Sequence, residues 1–271
     1  TVPTTVTAQI NQKTTTTSPK SDRTFTALID QLPTEVTVDL VHQGEKQSID
    51  YSANAPIGHV QATDTATGDV SHPGSYTQSQ YDVFGVPTKV HVDLQGSQDI
   101  KYTANGNIPT ASFNTKTLTD NVLQQQVTAV AHQIPKSIHV TNVTTADNQA
   151  ITYNADSNLG DVNLGMYDKS EAGDETNLVA KAISIPTHIG FTMTKSTGVY
   201  DFAANQGIGL IQASLTRNGG SIIPHAGDHA TVLKQGNKLG LDFQLSGFKS
   251  AHFDGHQKTD VSLGLDPGGQ S

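Results

Sequence analysis

The sequence predicts an all-β protein of tandem antiparallel β-repeats, four copies of about 51 residues with a partial fifth at the C-terminal end, arranged as an elongated stack of sheets or sandwiches. Three observations predict it. Short segments alternate apolar with polar residues, those segments recur in one order at near-constant spacing, and no segment carries a convincing helical period.

The first recurring element is an apolar residue, a proline, two variable residues, then apolar, polar, apolar. It occurs at Leu32-Pro33 with Val36 and Val38, Val86-Pro87 with Val90 and Val92, Ile134-Pro135 with Ile138 and Val140, and Ile185-Pro186 with Ile189 and Phe191. Proline has a fixed φ and no amide donor, so its recurrence marks strand starts or corners. The second element carries an aromatic residue inside an alternating strand: Tyr51, Tyr102, Tyr153 and Phe202, spaced by 51, 51 and 49 residues. An asparagine or aspartate follows it each time (Asn54, Asn105, Asp156, Asn205), a residue suited to bonding backbone at a turn. A third strand begins at once, at Ile57, Ile108, Leu159 and Ile208.

Gly44, Gly96 and Gly198 fall between the first two elements, where hairpins must turn. The segment Leu118 to Ala131 is the best helix candidate, but its threonine and β-branched content favours a strand. These spacings divide the chain into an extended Thr-rich arm at 1–23, repeats at 24–80, 81–126, 127–179 and 180–236, and a partial capping repeat at 237–271 that contains Phe248, Ala251, Phe253, Val261, Leu263 and Leu265. Over Phe25 to about Ala213 the pattern resembles tandem β-repeat surface proteins of microbes and their viruses, a resemblance that implies architecture alone.

Composition narrows the function classes. The net charge is −9 with only two arginines, Arg23 and Arg217, so nucleic acid is not an expected partner. There is no cysteine, hence no disulfide framework and no thiolate metal site. No stretch approaches the ~18 apolar residues of a spanning helix, so no transmembrane segment is expected.

His225, His229, His252 and His256 are candidate metal ligands, because neutral imidazoles beside Asp228 and Asp254 suit a divalent ion; scattered surface histidine is the commoner case, and no metal or other cofactor is expected. The acidic run Asp168 to Glu175 lacks the ligand spacing of a calcium loop. Carboxylates recur with the repeat instead of standing apart from it, and no nucleophile elbow or phosphate loop is present, so no enzyme is expected.

The leading expectation is a non-enzymatic structural building block of a fibre, stalk or shell, extracellular or on a cell or particle surface, that associates with copies of itself through strand edges and the N-terminal arm. A carrier of lipid or another hydrophobic ligand in an elongated β-groove is the alternative, prompted by the recurring small residues Ala53, Ala104, Ala155 and Ala204. A carbohydrate-binding module is the third expectation, with the aromatic ladder as its glycan platform.

Overall fold

Threonine, valine and isoleucine fill segments that alternate with a period of two, and such segments pair as strands because one face can be buried while the other meets water. The computed structural model describes residues 5–14, 21–68, 74–96, 98–169, 175–217, 230–235, 238–255 and 261–266. Its strands are all antiparallel and belong to one continuous sheet, which the pairings divide into two walls.

The long wall holds β1 (Thr5–Thr14), β2 (Ser21–Asp30), β5 (Ile57–Thr67), β6 (Tyr76–Val86), β9 (Ile108–Thr119), β10 (Val122–Ile134), β13 (Leu159–Lys169) and β14 (Glu175–Ile185), paired in that order. The short wall holds β3 (Val36–Gln43), β4 (Lys46–Ala53), β7 (Lys89–Gln95), β8 (Asp99–Ala104), β11 (Ser137–Thr144), β12 (Asn148–Ala155) and β15 (His188–Thr194), again in order. Two strands run through both walls. β16 (Val199–Arg217) pairs with β15 by its first half and with β14 by its second, and β18 (Lys238–Asp254) follows β16 along both halves. β17 (Ala230–Gln235) extends the long wall and β19 (Val261–Leu265) the short one.

The chain crosses from wall to wall at corners, and the corners share one construction. Two residues before each corner proline the backbone turns left-handed, at Gln31 (φ 58°), Gly85 (67°), Gln133 (54°) and Ser184 (54°); Gly247 (67°) does the same before Phe248. Such a residue bends a strand sharply, as a bulge does. The prolines that follow, Pro33, Pro87, Pro135 and Pro186, are buried.

Corner residues also compensate each other. Where the left-handed residue has a side chain, a glycine stands against it: Gly58 faces Gln31, Gly160 faces Gln133 and Gly209 faces Ser184. A Cβ on Gly160 would come within 2.7 Å of Gln133 Oε1 and 2.9 Å of the His132 carbonyl. At the remaining corner the roles reverse, and Gly85 lies under the ring of Pro109.

A side-chain clamp ties each return crossing to the corner before it. Asn54 accepts from the Glu35 amide (3.3 Å) and donates to Thr34 Oγ1 (2.6 Å); Asn105 does so with Lys89 and Thr88 (3.0 and 2.7 Å), and Asn205 with His188 and Thr187 (3.2 and 2.8 Å). Asp156 accepts from the Ser137 amide at 3.1 Å. The partners lie 16 to 20 residues earlier in the chain. These residues therefore join two chain segments, whereas the sequence alone suggests a bond within the local turn.

The expected hairpin glycines Gly44, Gly96 and Gly198 have φ of 60°, 57° and 63°. Leu118 to Ala131 is a hairpin of β9 and β10 turned through Asp120 and Asn121, both left-handed. Within residues 1–23, Thr5–Thr14 is extended and pairs along its whole length with β2 of the same chain.

Candidate functional site: an open apolar trough

Alternation gives each wall one apolar face, and register lines those faces up. On the long wall Ile29, Val60, Val83, Ala111, Ala131, Val162, Ala182, Ile211 and Leu245 oppose one another strand by strand in a row next to the corners. A second row, further out, runs Ala27, Ala62, Tyr81, Phe113, Ala129, Leu164, Ala180, Ala213 and Phe243. On the short wall Tyr51 lies between Val38 and Val90, Tyr102 between Val92 and Ile138, Tyr153 between Val140 and Ile189, and Phe202 between Phe191 and Ala251.

The two apolar faces meet along the line of corners and diverge from it. Buried apolar side chains sit at that apex: Ile57, Ile108, Ala204, Ile208 and Leu245 are each at most 9% exposed. Away from it the same faces stay open. Among the described residues twenty-one large apolar side chains are exposed, and only Val41, Phe84, Val143 and Val179 lie off the inner faces. Leu40 (72%) and Val38 (53%) on the short wall, and Leu164 (49%) on the long wall, belong to the inner set. Near the N-terminal end the walls flank an open pocket of about 640 Å³ lined by residues of both, among them Ile29, Val38, Tyr51, Val60, Val83 and Val90.

The lip of the long wall is polar although the alternation continues. On the inner side, Arg23 Nε donates to Asp64 at 2.9 Å, Thr77 bonds Thr117 at 3.1 Å, Ser79 bonds Thr115 at 3.0 Å and Gln125 donates to Asp168 at 2.8 Å. The section of the trough is therefore graded, with small and branched apolar groups at depth and paired polar groups at the edge.

Three polar atoms lie in the apolar depth. The hydroxyls of Tyr51, Tyr102 and Tyr153 are buried without a hydrogen-bond partner. Burial raises all three phenol pKa values, and with the added effect of the Asp156 carboxylate pushes Tyr102 up to about 12. They stay protonated and keep an O–H to donate.

The outer face of the short wall is a different surface, built of imidazole–carboxylate pairs within and across strands. His91 bonds Asp50 at 2.6 Å and Asp93 at 3.0 Å, His139 bonds Asp99 at 2.9 Å, and His252 bonds Asp201 at 2.6 Å. Hydrogen bonds that the protonated His91 ring donates to Asp93 and Asp50 raise its pKa against a smaller opposing effect of burial. A raised folded value means that this stabilisation is complete below about pH 6.5 and fades as pH climbs through the folded pKa. With the His91 side chain 38% exposed, the contribution stays below about 1 kcal/mol. The expected observation is a His91 titration midpoint above about 6.5 by NMR, moved down by Asp93→Asn; a midpoint unmoved by that substitution would refute the assignment.

Of the histidines singled out by sequence, His252 is on this outer face, bonded to Asp201, while His225, His229 and His256 lie outside the described residues. Among the described residues no group of three or more His, Asp or Glu side chains is placed to hold a metal ion. Among the described residues no helix is long and apolar enough to cross a membrane. The trough itself is partly visible in the alternation, which marks the apolar faces; that they are left uncovered has no sequence signal. No family model, curated protein or solved structure matches this chain.

Proposed function

We propose that the chain is a carrier that holds an extended hydrophobic ligand, of the lipid class, along the trough. One observation carries the reading: the apolar faces of both walls are fully buried only at the apex, so a continuous apolar surface is left for something else to cover. Soluble proteins seldom leave contiguous apolar surface of this kind without a binding role. The pocket at the N-terminal end has the size of ordinary ligand sites, and the polar lip suits an amphiphile with its chains at depth and its head at the edge.

The trough is read as the product of a repeat of about 51 residues, each copy giving two strands to each wall. Support comes from the matched surroundings of Tyr51, Tyr102, Tyr153 and Phe202, the shared corner geometry and the four clamps. The proposed setting is extracellular or a particle surface, in keeping with the uncharged polar composition and the lack of cysteine.

The test uses Val38→Asp with Leu40→Asp. Both side chains are already exposed, so stability should change by less than about 1 kcal/mol. A carboxylate there would have to be desolvated under a bound chain, and affinity should fall at least about tenfold. Organic extraction with mass spectrometry of the purified protein, and displacement of a fluorescent fatty acid, provide the readout. A native chain that neither carries nor takes up such ligands would end the proposal.

The open edges favour a second reading, the self-associating building block. Among the described residues β1, β3, β17 and β19 each have a partner on one side only, and each ends a wall. Light scattering on the same preparations distinguishes the two readings, since growth of particles with concentration, in chains that carry no lipid, would favour assembly.

A further inference from the structure

The exposed apolar surface of the trough is longer than one ordinary acyl chain. The short wall runs through ten strands from β3 to β19, and nine spacings of about 4.8 Å carry it roughly 43 Å from end to end. Two acyl chains meeting tail to tail fill the roughly 30 Å hydrocarbon core of a bilayer, so one chain laid along the trough covers no more than about half of it. The remainder would still face water.

The apolar surface does not fade with distance from the N-terminal pocket. The residues two places before the recurring aromatics, Ile49, Ile100, Ile151 and Tyr200, are each between 36% and 40% exposed on the inner face, and the last strand still presents Leu263 and Leu265. The two ends differ in chemistry. The first strand of the short wall is aliphatic, with Val36, Val38 and Leu40 exposed. Towards the other end Tyr200 stands between Phe191 and Phe253 at centroid distances of 6.4 and 5.9 Å, and Tyr200 and Phe253 keep their rings partly open. Rings braced against each other make a broad, stiff apolar surface.

From the length and continuity of this surface we infer that the trough holds acyl lipids in file, at least two to a chain, with a second site over Tyr200, Phe253 and Leu263 that loads separately from the N-terminal pocket. The inference rests on the carrier reading. A single lipid at the N-terminal pocket would leave the aromatic end as exposed as it is in the empty molecule, and a contiguous apolar patch of that kind marks a binding surface in its own right. The two sites lie at opposite ends of the short wall, too far apart for their side chains to touch a common chain carbon.

The chain contains no tryptophan, so one introduced at either end reports on that end alone. Leu40→Trp and Leu263→Trp both replace exposed side chains, and brominated stearic acid, whose bromine quenches a tryptophan in contact with it, is the probe. Both reporters should be quenched. In the Leu263→Trp chain, adding Val38→Asp and Leu40→Asp should leave the midpoint of quenching unchanged within about twofold, as expected of distant sites. Extraction and mass spectrometry of the saturated native chain, which needs no variant, should count at least two probe molecules per chain. One molecule per chain, quenching at one end only, or loss of quenching at Leu263→Trp when the other end is blocked would overturn the inference and leave the carrier reading standing. A Leu263→Trp signal that ignores the probe and instead changes as the lipid-free chain is concentrated would also overturn it, by showing that a second copy covers this end. Failure of the native chain to take up any probe would overturn both readings.

Discussion

Gly85→Gln is expected to destabilise the fold by about 2–4 kcal/mol, and Pro109→Gly in the same chain is expected to recover at least half of that loss. The backbone at Gly85 is left-handed, which costs a side-chain-bearing residue about 1 kcal/mol, and a Cβ there would meet Pro109 Cδ at 2.9 Å, so overpacking adds about 1–3 kcal/mol. Removing the proline ring recreates the pairing already present at Gln31 with Gly58 and at Gln133 with Gly160. Chemical denaturation of the two single variants and the double variant gives the coupling energy directly. Additive losses would show that the corners are not built on reciprocal packing.

The apex and the rim should respond oppositely to truncation. Ile57→Ala and Ile208→Ala, each removing a side chain only 5% exposed, are expected to cost about 2–4 kcal/mol apiece. Leu40→Ala, on the same kind of apolar face but 72% exposed, should cost no more than about 0.5 kcal/mol in the ligand-free chain. A similar cost at all three would mean that the walls are closed in solution and that no trough exists. The contrast can be measured without knowing any ligand.

Strand identity was largely legible from residues. Ile49-Asp50-Tyr51-Ser52 and its counterparts alternate cleanly, and alternation is a local property that pairing preserves. The corner prolines were equally plain, since few other positions in a strand protein accept them.

The left-handed residues were not legible at Gln31, Gln133 and Ser184, where glycine would be the usual signal; tertiary packing against Gly58, Gly160 and Gly209 holds them there. The path of β16 was hidden too, because no proline interrupts Phe202 to Ile211 and the bend is absorbed in the register shift between Ala203 and Ile208. The trough was hardest to foresee. A pattern of two says which face of Val38 or Leu164 is apolar, but only the angle between two walls decides whether another face covers it.

The pairing scheme sets how the chain finds this shape. Even the widest described pairing, Val199 with Asp254, closes a loop of 55 residues in a chain of 271. Loop closure is an entropic cost that non-local β-proteins meet all at once, and it is what makes most of them slow to fold. Here each crossing needs only its immediate neighbours, so ordering can start at any corner and spread in both directions as a one-dimensional process. Local melting at one stretch of the molecule then need not reach the other end.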